Sequence, residues 1–155
     1  KEAAKINEGG FYYTVSDGGV SAAGDTPDGG LRSYGSMTYA GLKSMIYAGL
    51  GPDDPRVSAA LTWVKKHYTL DSNPGLGDAG LYYYYHLFAK ALDAAEMKEF
   101  TDASGKTHDW RAELVAHLGS LQANDGSWTN SNSRWMEGDS NLATVFSLLA
   151  LSRCK

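Results

Sequence analysis

At 155 residues the chain is long enough for one domain with a real core, and 14 Lys and Arg against 18 Asp and Glu leave it mildly acidic. No basic stripe appears, so nucleic acid is not an expected partner, and no run of about eighteen apolar residues is present to span a membrane. The one cysteine, Cys154, excludes an internal disulfide and a cysteine-based metal site.

The sequence starts at Lys1 rather than Met, which points to a processed chain, a proteolytic cut or an engineered boundary. The compartment stays open, with an exported or periplasmic protein the favoured expectation. Residues 1–33 read as a stub and a Gly-rich insertion. Glu2 to Asn7 suggests the end of an outer helix, and Gly9-Gly10-Phe11 a glycine turn. From 11 to 30, alternating Tyr12, Tyr13 and Val15 suggest a short extended or hairpin segment. Asp17, Asp25 and Asp28 fit no EF-hand spacing and read as turn residues. Neither a metal nor a cofactor is expected.

Residues 34–68 form a first helical hairpin. Helix 34–50 carries Met37, Leu42, Met45, Ile46 and Tyr47 among small residues, with Lys43 its only charge. A helix apolar on every side is expected to be enclosed. Helix 55–68 instead places Val57, Ala60, Leu61, Val64 and Tyr68 on one stripe, with Asp54 as N-cap and Pro55 at its first position. Residues 78–123 form a second hairpin. Its enclosed helix, 79–95, contains Tyr82-Tyr83-Tyr84-Tyr85-His86, and its one-sided helix, 109–122, is built on Trp110, Leu114, Leu118 and Leu121. Between them Asp102 to Gly105 has turn chemistry. Residues 139–153 hold a final enclosed helix, 140–152. This alternation predicts an inner row of three sheltered helices backed by an outer layer.

A repeat runs through the chain. Gly29-Gly30-Leu31, Gly75-Leu76 and Gly126-Ser127-Trp128 each precede an inner helix, and the large apolar residues recur at intervals of 45 and 52 residues (Leu31 to Leu76, Leu76 to Trp128). The last turn is introduced by Gln122, a helix-end amide able to bond unpaired backbone groups of the next helix, with Trp128 to cover the junction.

Gln122, Gly126 and Trp128 have the spacing of a QW motif, and in them the chain resembles the prenyltransferase and squalene-cyclase (QW) repeat superfamily. Arg111-Ala112 is similar to the motif's basic-small start, and His117 stands where an aromatic residue is usual. The resemblance implies an all-α fold, a segment of a terpenoid-cyclase-like α/α toroid of about two and a half helical hairpins with short β-hairpin insertions, like the C-terminal half of a bacterial repeat protein. It implies a central cavity without implying a reaction. The Asp-x-Asp-Asp acid of class II cyclases has no counterpart, since Pro52-Asp53-Asp54-Pro55 is a helix start, and no Cys stands near a His as prenyltransferase zinc would need.

The candidate ligand-binding residues are Tyr82, Tyr83, Tyr84 and Tyr85, of which one or two should face the cavity, with Arg134 and Trp135 in the loop before the last helix. An apolar small molecule or a glycan suits such aromatic walls. His86, Glu137 and Asp139 are the candidate acids and bases. Each has a structural counterpart: a hydrogen-bonded core histidine, an ion pair between Glu137 and Arg134, and a cap at Asp139. His108-Asp109 reads as a helix start. The leading expectation is a ligand-binding scaffold. The alternatives are an enzyme with terpene-cyclase-like or carbohydrate-lyase-like chemistry, its acid or base partly outside this segment, and an interaction module that self-associates or completes a ring with a second chain.

Overall fold

The computed structural model describes residues 7–14 and 19–155. They form five α-helices and a two-stranded antiparallel sheet: α1 Gly35–Tyr47, α2 Pro55–Lys66, α3 Leu81–Ala94, β1 Phe100–Thr101, β2 Thr107–His108, α4 Trp110–Leu121 and α5 Ser140–Leu151. Glu2 to Ile6 of the expected stub, with Val15 and Asp17, lie outside the described residues. No helix among the described residues is long and apolar enough to cross a membrane.

Helix α3 packs on α1 along one flank and on α5 along the other, so the three expected inner helices stand side by side. Helix α2 lies against α1, and α4 lies against α5. Rings join α4 to α3 as well, Phe88 meeting Trp110 edge-on at 5.7 Å between centroids. The core is centred on α3, where Tyr84, Tyr85, Phe88, Ala89, Ala91 and Leu92 are fully buried.

Only α3 is enclosed in the way its composition predicts. Helix α1 exposes Tyr47, and α5 exposes Val145, Leu148 and Leu149. The reason is positional: α3 alone has an inner helix on both flanks. The outer stripes also differ in detail. Trp63, absent from the predicted stripe of α2, is buried and donates its indole N–H to Ser33 Oγ at 3.1 Å, while Leu121 at the end of α4 is exposed.

Local chemistry sets the starts of three helices. Asp54, Asp109 and Asp139 each accept a backbone N–H from the first turn, from Arg56, Ala112 and Asn141 respectively. Helices α1 and α3 are capped from a distance. Tyr34 and Gly80 precede them without a capping side chain. Asn73 Oδ1 accepts the N–H of Ser36 at 3.0 Å, and Pro74 O accepts that of Gly35 at 2.8 Å. Glu137 does the same for α3, taking the N–H groups of Tyr82 and Tyr83 at 3.2 and 2.8 Å. In both cases the cap comes from the loop that precedes the next inner helix. The unpaired amides at one helix start therefore lock the neighbouring connection in place.

The glycine turns share one backbone device. Gly9, Gly29, Gly75 and Gly126 all have φ between +74° and +94°, a region that side chains with a Cβ avoid. The aromatic residues after two of them are anchored alike: Phe11 N–H donates to Thr38 Oγ1 of α1, and Trp128 N–H to Thr144 Oγ1 of α5. The Trp128 indole also donates back to Leu118 O of α4 at 2.8 Å, so this one side chain joins two helices. Gln122 does less than expected. Its amide donates to Gly126 O within the same turn at 2.8 Å and holds no group of α5.

The second insertion is the hairpin β1–β2, with Phe100 opposite His108 and the turn closed by Asp102, whose carboxylate accepts the N–H groups of Ser104 and Lys106. Among the described residues the first insertion contributes isolated bridges, Thr14 with Val20 and Asp25 with Leu31.

Candidate functional site

The N-terminal ends of α1, α3 and α5 open together onto a cavity of about 630 Å³, within the size range of small-molecule sites. Each of the three helices contributes: Tyr34 and Met37 at the start of α1, Gly80 and Tyr83 at the start of α3, and Leu142 from the first turn of α5 with Phe146 midway along it. The loop holding Arg134, Trp135 and Glu137 forms one wall, and Tyr13 and Val20 of the first insertion form the opposite rim.

Of the four consecutive tyrosines only Tyr83 lines this cavity. Its ring meets Phe146 edge-on at 5.5 Å. Tyr82, Tyr84 and Tyr85 are buried, and their hydroxyls donate to backbone carbonyls of Thr129, Thr69 and Leu70. Burial pushes all three phenols up, so they stay protonated donors. Their work is to tie α3 to the loops at either side. Successive helical residues turn by about 100°, so a run of four cannot share one face.

Trp135 lines the cavity with its backbone in an uncommon conformation. Trp135 and Met136 have φ of 57° and 64°, the left-handed region that costs a residue with a Cβ about 1–2 kcal/mol. The indole lies over Gly80, where an added Cβ would come within 2.8 Å of the ring. The Arg134 guanidinium stacks on the other part of this wall, 4.3 Å from the Trp135 ring centroid. Strain of this kind persists only where surrounding structure enforces it, and it gathers at binding sites.

Glu137 lines the cavity but is engaged in structure. It is 1% exposed, and besides the two α3 amides it accepts the side-chain N–H of Asn130 at 2.8 Å. The expected pairing with Arg134 is not formed; the carboxylate faces the positive end of α3 instead. Asp139 is the N-cap of α5. His86 lies outside the cavity lining, stacked on Phe146 at 6.0 Å between centroids. Burial, with Lys90, Lys43 and Arg153 nearby, lowers its pKa and keeps the imidazole neutral. The three candidate acids and bases are therefore not brought together.

Tyr34, Tyr13 and Phe146 are site residues that the sequence reading passes over. Burial and the neighbouring Tyr83 and Tyr13 hydroxyls raise the pKa of Tyr34, which places three phenol groups around one space. Superposing the repeats would point to Tyr34, since it and Gly80 occupy the same place before α1 and α3. Among the described residues no group of three or more His, Cys, Asp and Glu side chains is arranged to hold a metal ion.

No family model, curated protein or solved structure matches the chain.

Proposed function

We propose that the chain is a ligand-binding segment of an α/α toroid of the prenyltransferase and squalene-cyclase kind, with its ligand seated in the aromatic cavity at the inner-helix starts. The observation that carries this reading is the convergence of Tyr34, Tyr83, Trp135 and Phe146 on one 630 Å³ space with apolar walls. An apolar ring compound or a glycan matches those walls, rings stacking on the indole and phenols while tyrosine hydroxyls supply hydrogen bonds. Binding is favoured over catalysis because Glu137 and Asp139 are both committed to helix ends.

Tyr83→Ala and Trp135→Ala test it. Both side chains are partly exposed, so the fold should survive, and ligand-induced thermal stabilisation across lipid and glycan panels should be lost in each. Hits that stabilise both variants as they do the parent chain would remove the idea.

A second reading, completion of a ring by another copy or another chain, is favoured by Val145, Leu148 and Leu149 on the free flank of α5. Sedimentation showing only monomer at high concentration would count against self-association.

A further inference from the structure

We propose that the ligand of the aromatic cavity carries an oxyanion, a carboxylate or a phosphate, about 10 Å from its rings, and that Lys43 of α1 and Lys90 of α3 receive it. This rests on the reading that the cavity holds the rings, and it adds the charge of the ligand and where that charge lies.

The first observation is a register shared by the inner helices. Ser36, Tyr83 and Phe146 line the cavity, one from each helix. Lys43, Lys90 and Arg153, the last just beyond the end of α5, follow them at the same spacing of seven residues. Such a spacing is about two helical turns, so each lysine lies on the same face as its cavity residue and about 10 Å further along the axis. On α3 this is the face that packing leaves uncovered. Tyr83 is exposed and His86 and Lys90 are half-buried, while Tyr82, Tyr84, Tyr85 and Phe88 are buried. His86 stands one turn after Tyr83 and one turn before Lys90, and its ring stacks on Phe146. The uncovered face is therefore aromatic at one end and basic at the other.

The second is charge that the fold leaves uncompensated. Among the described residues neither Lys43 nor Lys90 forms an ion pair. Asp93, on the same helix as Lys90, is taken by Arg111 at 3.0 Å and by Arg153 at 3.5 Å. Neither lysine stands in the last turn of its helix, where a cation would offset the helix dipole. The cations act against one another instead. Burial and the charge of Lys90 lower the pKa of Lys43, and burial with Lys90, Lys43 and Arg153 lowers that of His86. Glu137, the one carboxylate of the cavity lining, is held at the start of α3 by the Tyr82 and Tyr83 amides and Asn130, two turns from Lys90. A ligand that fits both ends of this face must join apolar rings to negative charge.

Calorimetric and NMR titration with phenylhexanoate, phenylhexyl phosphate and the neutral phenylhexanol tests the proposal, since their tethers hold a ring and a polar end about two helical turns apart. The acid, the phosphate ester or both should bind at least about tenfold tighter than the alcohol, the worth of one hydrogen bond to a charged group. A preference for the ester alone assigns a phosphoryl group, and for the acid alone a carboxylate. Lys43→Gln and Lys90→Gln each relieve like-charge repulsion, so the fold should be kept, and each should remove most of the preference. The bound anion offsets the cations around His86, so its imidazole should titrate at higher pH with the anionic ligand and not with the alcohol. Equal binding of charged and neutral ligands, an unchanged preference in either lysine variant, or a His86 titration unmoved by the bound anion overturns this inference and leaves the cavity reading standing. Failure of all three ligands to shift the Tyr83 signals overturns both.

Discussion

Replacing Glu137 by Gln removes a charge and one acceptor from the start of α3 while keeping the side chain's shape. In the native arrangement Oε2 accepts from Tyr82 N–H and Asn130 Nδ2, and Oε1 accepts from Tyr83 N–H. A glutamine has one oxygen. Placed toward Tyr82 and Asn130 it keeps those two bonds and turns its own NH2 against the Tyr83 N–H. The loss is one bond to a charged acceptor, about 1.5–3 kcal/mol, together with an anion at a helix N-terminus, about 0.3–1 kcal/mol. The sum is about 2–4 kcal/mol, and for a chain of this length each kcal/mol lowers the melting temperature by about 2–4 °C. Calorimetry should therefore show a fall of about 5–15 °C. Hydrogen exchange should show faster exchange at the Tyr82 and Tyr83 amides, with the first-turn amide of Asn141, capped by Asp139 within its own helix, unchanged. A variant that melts within a degree of the parent, with those two amides still protected, would refute the remote cap.

Two further outcomes follow from the connections. Trp128→Ala should cost about 3–5 kcal/mol in urea unfolding, since it empties a buried site and cuts the link between α4 and α5, whereas Gln122→Ala at an exposed turn should cost less than about 1 kcal/mol; equal losses would contradict the assignment of the clamp to the indole. Acid should loosen the hairpin β1–β2. Hydrogen bonds from Ser104 and His108 hold the Asp102 carboxyl far below the usual range. Desolvation opposes ionisation of Glu113, but bonds from Tyr68 and His108 outweigh it and lower its pKa too. Because both folded values lie below the unfolded ones near about 4, their stabilisation is complete above that pH and lost as pH falls through the folded values. The melting temperature should therefore fall below about pH 4, and less steeply in Asp102→Asn; parallel curves for the two proteins would exclude this account.

What could be read before folding was what neighbours in the chain decide. The five helices begin and end within two or three residues of the expected bounds, because stripes, prolines, glycine turns and Asp caps act over one or two turns. Asp54, Asp109 and Asp139 precede the amides they cap by two or three residues, which is why their role is visible in the sequence. The row of α1, α3 and α5 was legible too, from the alternation of one-sided and all-round apolar helices. Glu137 was not, since its amide partners stand 54 and 55 residues earlier, and neither was Asn73, which serves Ser36 across 37 residues.

The same division runs through the site. The sequence determined that tyrosines and a tryptophan would lie at the starts of inner helices. Only the tertiary structure decided that Tyr83 faces the cavity while Tyr82, Tyr84 and Tyr85 anchor loops, and that Tyr34 and Phe146 complete the wall. It decided as well that α5 would leave Val145, Leu148 and Leu149 exposed. Periodicity tells a helix which of its faces are apolar. Which of those faces gains a neighbour depends on how many helices stand beside it, and that is settled by packing.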